Sequence, residues 1–430
     1  MSSTDCATSR PPHRTATSSA DTSAFRGRLD RRGGAVLIIL LGGLTALGPL
    51  SIDLYLPALP VIAHSLRATE ADIQFTLTGM LIGLAVGQVL VGPVSDAIGR
   101  RTPLIAGSAL HAAASLACFL APNVAVLDLA RILQGLGASA GAVLGLAVVR
   151  DLYAGRALAK TLSRMILVMS VSPILAPSIG TALLGAMGWR WLFAILAALG
   201  LLLTVLTVVL LPETSPVTGR VPLHLRDTVA VHARLLRDYR FIGLLVVAGL
   251  TVVGPFGFVS GAPFVFQHQY HLDQRQFGVL FGVSVAWLFL ASQLNTWLLR
   301  RYQPLQVLIG AGAGASIAGI AMLTVAATGA GGLFGLLATL WTMLFFAGLL
   351  MPNAPAVVLD AHGETAGTTA GLLGAVRWGA AGLVSPLVGL LGNTATAMSA
   401  ICTTGLIAAT LLLAVLTKPQ RRATRNEPPI

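Results

Sequence analysis

The chain has 430 residues, 55% of them hydrophobic and only 10% charged. Its mean hydropathy of +0.82 excludes an ordinary water-soluble domain, whose surface carries far more charge. The formal charge of +12 would suit a nucleic-acid binder, but the basic residues fall in short segments between apolar runs, which is a membrane pattern and excludes nucleic acid as the partner.

Residues 1–33 are rich in Ser, Thr, Pro and Arg and nearly free of large apolar side chains, which predicts a disordered tail. Twelve apolar runs follow, at 35–62, 72–95, 102–121, 123–149, 161–187, 190–211, 240–266, 276–299, 305–328, 332–355, 365–391 and 395–417. A bilayer core about 30 Å thick takes roughly 20 apolar residues per helix. Open sheet edges cannot face lipid, so these runs predict helices and the fold class is an all-α polytopic membrane protein. Run one is too long for a signal-peptide core and has no small-residue cleavage site, so it is expected to stay in the mature chain.

Each ionisable side chain near the middle of a membrane helix costs roughly 2.5–3.5 kcal/mol on insertion scales and asks for a partner or a water-filled cavity. Run one carries Asp53 within Gly48-Pro49-Leu50-Ser51-Ile52-Asp53-Leu54-Tyr55-Leu56-Pro57-Ala58-Leu59-Pro60. Its three prolines loosen the backbone ladder around one carboxylate. Such a group can exchange a proton as its surroundings change, or it can sit in a fixed salt bridge.

Between runs two and three lies the charged turn Gly92-Pro93-Val94-Ser95-Asp96-Ala97-Ile98-Gly99-Arg100-Arg101. His111 stands alone among alanines in run three and reads as a packing residue. In run four Asp128, Arg131, Gln134, Gly135 and Ala138 share one helix face. Arg131 lies ~12 Å below the outer end of its helix and Asp53 ~15 Å below the same side. An Asp53–Arg131 couple fits those depths, and so does an i,i+3 pair with Asp128. In run five Pro173, Pro177 and Gly180 sit at spacings that bend a helix and flatten one face, for close approach or simply for a packing kink.

Residues 212–239 are the one long polar interval between runs. They divide the chain into six-helix halves at 34–211 and 240–417, the usual build of a secondary transporter with its site near the midplane. Asn295, Leu298, Arg300 and Arg301 are a worn echo of the first turn. Arg377 in run eleven lies ~18 Å deep, beside Ala370, Gly371, Gly374, Ala381 and Val384, with no acid on its own helix. Its counter-charge must come from elsewhere in the chain or from a ligand. Residues 418–430 form a second tail.

With the N-terminus inside, 23 of the 28 basic residues and 11 of the 16 acidic ones fall on the cytoplasmic side. The outer loops carry three of each sign and the membrane interior two of each, so the whole net charge is cytoplasmic. Cys6, Cys118 and Cys402 lie far apart, which gives neither a disulfide framework nor a metal site. No nucleophile–base set appears, so neither an enzyme nor a cofactor is expected.

Taken together these motifs resemble the bicyclomycin/chloramphenicol-resistance family of proton-coupled drug exporters, within the major facilitator superfamily. The resemblance covers roughly 34–417. It rests on the Gly48–Pro60 stretch, the 92–101 turn, Arg131-Ile132-Leu133-Gln134-Gly135, Val149-Arg150-Asp151-Leu152-Tyr153, Gly188-Trp189-Arg190-Trp191, Pro212-Glu213-Thr214, Ser260-Gly261-Ala262-Pro263-Phe264 and Arg377-Trp378-Gly379. It implies twelve helices in two pseudo-symmetric halves, with Asp53 and Arg131 in proton coupling and Asp128 as a rival. It places Asp53, Tyr55, Gln134, Phe264 and Arg377 at the substrate. It makes Gly92, Asp96, Gly99, Arg100 and Arg101 a latch for the cytoplasmic side, and the Pro173, Pro177 and Gly180 helix a seal between halves. The implied partners are a small amphipathic drug, protons and the lipid bilayer of the plasma (inner) membrane. Both termini are expected in the cytoplasm, the chain as a monomer, and neither cofactor nor metal is implied.

Three departures stand out. Ala97 replaces a basic residue, Ala176 and Thr181 stand where the sealing motif prefers Gly, and Asp128 is an unusual neighbour for Arg131. An importer or facilitator of a small metabolite is the alternative, because the fold does not set the direction.

Overall fold

With no water in a bilayer to satisfy backbone groups, each apolar run closes its hydrogen bonds on itself as a helix. The computed structural model describes residues 31–215, 225–361 and 366–425. Run one becomes α1 (Arg31–Asp53), a 3₁₀ turn (Leu56–Ala58) and α2 (Leu59–Leu66). There follow α3 (Glu70–Ile98), α4 (Arg101–Leu120), α5 (Val124–Leu152), α6 (Gly155–Met187), α7 (Arg190–Leu210) and a short α8 (Leu225–Leu235). Run seven is α9 (Tyr239–Thr251), α10 (Val253–Phe264) and a π-helical turn (Val265–Gln269). The last five are α11 (Gln274–Leu298), α12 (Pro304–Thr328), α13 (Gly332–Ala361), α14 (Ala366–Leu390) and α15 (Ala395–Arg425).

Among the described residues eleven segments are long and apolar enough to cross a membrane, and α6 adds a shorter apolar stretch at Ser172–Met187. Several helices outrun their apolar runs. The fifth begins at Gly155 rather than 161, the tenth reaches Ala361, and the last continues to Arg425, inside the expected tail. Residues 1–30, 216–224, 362–365 and 426–430 lie outside the described residues.

Two runs expected as single helices are interrupted. Pro57 has no N–H to offer the Asp53 carbonyl and Pro60 none for Leu56, so the ladder fails twice within one turn. In run seven Pro255 likewise gives nothing to Thr251, where α9 ends. Runs one and seven hold the same place in their respective sets of six.

The packing follows a repeated scheme. α1 meets α6, α3 meets α5, and α4 meets α5 and α7. Six runs later α9 meets α14, α11 meets α13, and α12 meets α13 and α15. The cross-pairs α3–α14 and α6–α11 change places under the same shift. Gly83 of α3 and Gly135 of α5 bring their helices so close that a Cβ on either would strike the other's backbone carbonyl. Gly135→Val is expected to cost about 1–3 kcal/mol through overpacking and to lower the unfolding temperature in detergent. An unchanged melting curve contradicts this packing.

Candidate functional site

The break in run one organises a buried polar cluster. The amide of Leu54 bonds the carbonyl of Leu50 (3.0 Å) and that of Tyr55 bonds Ile52 (3.2 Å), so the Ser51 carbonyl loses its helical donor. Arg131 of α5 supplies one, with Nη1 donating to Ser51 O at 3.0 Å. The guanidinium thus caps the C-terminal end of α1, where the helix dipole favours a cation. Nη1 also donates to Gln134 Oε1 (2.7 Å), and Gln134 Nε2 donates to Ser115 Oγ (2.7 Å). The guanidinium carbon stands 4.6 Å from the ring centre of Tyr55 and 5.9 Å from that of Phe193. Tyr55 in turn shares a 2.6 Å hydrogen bond with Thr76.

Arg131 is fully buried, yet no carboxylate pairs with it among the described residues. Neither couple considered from the sequence is formed in this structure. Asp53 is 7% exposed, and no described residue bonds its side chain. Asp128 keeps a sealed Oδ1 with no partner. The physical reason is the orphaned Ser51 carbonyl together with two aromatic faces, which hold the guanidinium without a full counter-charge. Its Nε and Nη2 remain without acceptors.

His111, expected to be a packing residue, belongs to this cluster. Its Nε2 lies 2.9 Å from Ser51 Oγ, and the Ser115 hydroxyl donates to the His111 carbonyl (2.7 Å). One histidine in an alanine run gives no periodic signal, and its ring finds its partner, Ser51, on another helix.

Arg377 is half-buried in the middle of α14, with a sealed Nε that finds no acceptor. Gly371 and Gly374 on the same helix lie against Gln88 of α3, and Trp378 meets Phe256 edge-on at 5.8 Å. Phe264 is placed apart from these residues. It is fully buried at the end of α10, 5.9 Å edge-on from His268.

The charged turn is tied locally. Arg100 pairs with Asp96 (2.7 Å) and reaches Asp151 at 3.4 Å. Glu213 accepts the backbone N–H groups of Arg100 (2.8 Å) and Arg101 (3.3 Å), and Arg101 Nη2 donates to Val208 O (2.6 Å). Gly99 turns the chain at φ 99°, while Gly92 faces open space. These partners lie in the first six runs or, for Glu213, at the start of the 212–239 interval, so these bonds do not reach the last six runs.

The proline motif does lie between them. Pro177 O accepts from Thr181 Oγ1 (2.8 Å), and Pro177, Ser178 and Thr181 abut Gly278 of α11. A Cβ on Gly180 would come within 2.5 Å of the Leu54 carbonyl oxygen, so this glycine admits the break of run one. Pro173 lies half-buried one turn earlier.

A cluster not anticipated from sequence closes the end that the charge distribution assigns to the outside. Glu70 at the start of α3 binds His268 Nδ1 (2.9 Å) and accepts from Asn393 Nδ2 (2.5 Å). Gln74 donates to Asn393 Oδ1 (2.7 Å) and to Ser260 O (3.2 Å), and Thr78 donates to Gly382 O (2.9 Å). A cleft of about 1000 Å³ beside it is lined by His64, Ser178, Gln267, His268, Asp273 and Arg275 among others. No group of metal-ligating residues occurs among the described residues.

The family model for the Major Facilitator Superfamily matches residues 41–386. The chain belongs to this superfamily. It is a multi-pass membrane transporter. It is 38% identical over 392 residues to the uncharacterized MFS-type transporter YdgK of Bacillus subtilis, covering 89% of this chain and 95% of that one. It is 29% identical to the bicyclomycin resistance protein homolog of Haemophilus influenzae, over 82% of this chain and 88% of the relative. It is also 29% identical to the multidrug resistance protein MdtL of Escherichia coli, over 62% and 67%. Among solved structures, a D-xylose-proton symporter superposes with a TM-score of 0.68 at 18% identity, covering 88% of this chain and 96% of that one. The xylose transporter XylE of E. coli in a partially occluded inward-open conformation also gives 0.68, at 16% identity over 89% and 97%. At that identity the likeness concerns the fold.

Glu70→Ala removes both bonds from that carboxylate to the second six helices. It should raise severalfold the labelling, by a membrane-impermeant maleimide, of a cysteine introduced by Ser178→Cys in the cleft. An unchanged labelling rate contradicts this clasp.

Proposed function

We propose that this transporter is a proton-coupled antiporter that exports small amphipathic antibiotics of the bicyclomycin or chloramphenicol kind. The observation that carries the reading is the buried, unpaired carboxyl of Asp53 at the break in run one. Interrupted helices in matching places of two halves are where such transporters build their sites. An intramembrane acid without a fixed partner is free to load and unload a proton.

In this mechanism a proton enters from outside and reaches Asp53, with Asp128 as the secondary acid. When Asp53 is deprotonated, the free Nε and Nη2 of Arg131 are the donors available to it, two residues along the chain from the carbonyl already held. Cargo occupies the space between the halves, 34–211 and 240–417, which rock about a midplane site. Arg377 offers an unpartnered donor on the second half, while Tyr55 and Gln134 act through Arg131. Phe264 borders the outer end of the path. When the outside opens, the turn at Gly92, Asp96, Gly99, Arg100 and Arg101 closes the cytoplasmic end, and the Pro173–Gly180 helix keeps the halves in contact. The basic segments orient both termini to the cytoplasm of the inner membrane, and one chain suffices. The names of two relatives, a bicyclomycin resistance homolog and a multidrug resistance protein, support a drug as cargo.

The test is chloramphenicol efflux from proteoliposomes with an imposed pH gradient. Efflux should follow the gradient and stop with a protonophore, and Asp53→Asn should slow it at least ~10-fold, the scale of one lost proton-transfer group. Efflux indifferent to the gradient refutes coupling, and full activity in Asp53→Asn removes that residue from the mechanism.

A further inference from the structure

Five side chains and two backbone carbonyls form a closed hydrogen-bonded ring across three helices. From His111 it runs to the Ser51 hydroxyl (2.9 Å), through Ser51 to its carbonyl, and on to Arg131 (3.0 Å). It continues to Gln134 (2.7 Å) and Ser115 (2.7 Å), and returns to the His111 carbonyl (2.7 Å). His111 and Ser51 are fully buried.

Proton counting settles the direction of the first bond. The Ser51 hydroxyl has one hydrogen, and the Leu47 carbonyl accepts it at 2.7 Å. His111 therefore donates from Nε2–H, leaving Nδ1 as a bare acceptor. Nδ1 indeed has no partner. It faces Gly200 of α7, where a Cβ would stand 2.9 Å away, and Gly137 of α5 sits against the His111 backbone. Gly200 thus leaves the space the ring occupies.

We infer that His111 is a positioning residue of the coupling machinery. Its Nε2–H fixes Ser51 and, through it, the carbonyl that anchors Arg131 beside the break at Asp53. It does this as a neutral imidazole and carries no transported proton. The transport arm of the test rests on the antiport reading above, whereas the spectroscopic arm does not.

The experiment compares His111→Gln, His111→Asn and His111→Leu in the full chain, using chloramphenicol efflux under a pH gradient. A Gln amide nitrogen reaches the place of Nε2, whereas Asn reaches only that of Nδ1. Losing the buried hydrogen bond that holds Ser51 should lower maximal rate ~10-fold in the Asn and Leu variants, with KM within about twofold. Gln should restore the rate to within about threefold and keep the wild-type pH profile. Gln as inactive as Leu, Asn as active as wild type, or Gln active with its pH dependence abolished each overturn the inference. If Leu does not fold, the Gln–Asn pair decides alone. Independently, ¹⁵N-histidine spectra of the purified protein should show His111, assigned by its loss in His111→Gln, as the neutral Nε2–H tautomer from about pH 6 to 8. An Nδ1–H tautomer or a ring that titrates in that range overturns the inference even where transport is not coupled to protons.

Discussion

Everything at the centre of the first six runs depends on one unsatisfied carbonyl. A backbone oxygen left without a donor in the membrane interior costs several kcal/mol. The deficit arises where run one breaks ahead of Pro57 and Pro60 and the Tyr55 amide turns to Ile52 instead of Ser51. Arg131 removes it and at the same time finds the negative end of a helix dipole. Each need answers the other: a guanidinium that cannot lose its charge is placed where the chain has run out of amides.

That arrangement accounts for the state of the acids. With Arg131 held by a carbonyl, an amide oxygen and two aromatic faces, neither Asp53 nor Asp128 is needed to hold it in place. The carboxyl of Asp53 stays unattached at the point where the helix bends and Gly180 brings α6 against Leu54. The same bend therefore serves packing between helices and frees an acid. The hydrogen bonds that join the halves gather at the end carrying Glu70, Gln74 and Asn393. At the opposite end the ion pairs of Arg100 stay within the first six helices.

The helices were legible because a bilayer demands long apolar runs, eleven of which are long and apolar enough to cross it among the described residues, and the motifs of the 48–60 and 92–101 segments carried the superfamily. Asp53, Arg131 and Arg377 were legible as expensive charges in apolar surroundings. Their partners were not, since depth along a helix says which residues share a level but nothing of azimuth. Arg131 was therefore expected to meet a carboxylate and instead meets a carbonyl, an acceptor that every residue carries and that no side-chain pattern announces. His111 gave no signal for the same reason: its ring bonds Ser51, 60 residues before it on another helix. The Glu70 clasp joins residues near both ends of the chain, beyond the reach of any local pattern.

The claim on which the account turns is that the carboxyl group of Asp53 gains and loses the transported proton. Infrared difference spectroscopy of the purified transporter across a pH step reads this directly, through the C=O stretch of a protonated carboxyl group. The account predicts a band that disappears in Asp53→Asn and survives in Asp128→Asn. A band unchanged by Asp53→Asn, or one that vanishes only with Asp128→Asn, contradicts it.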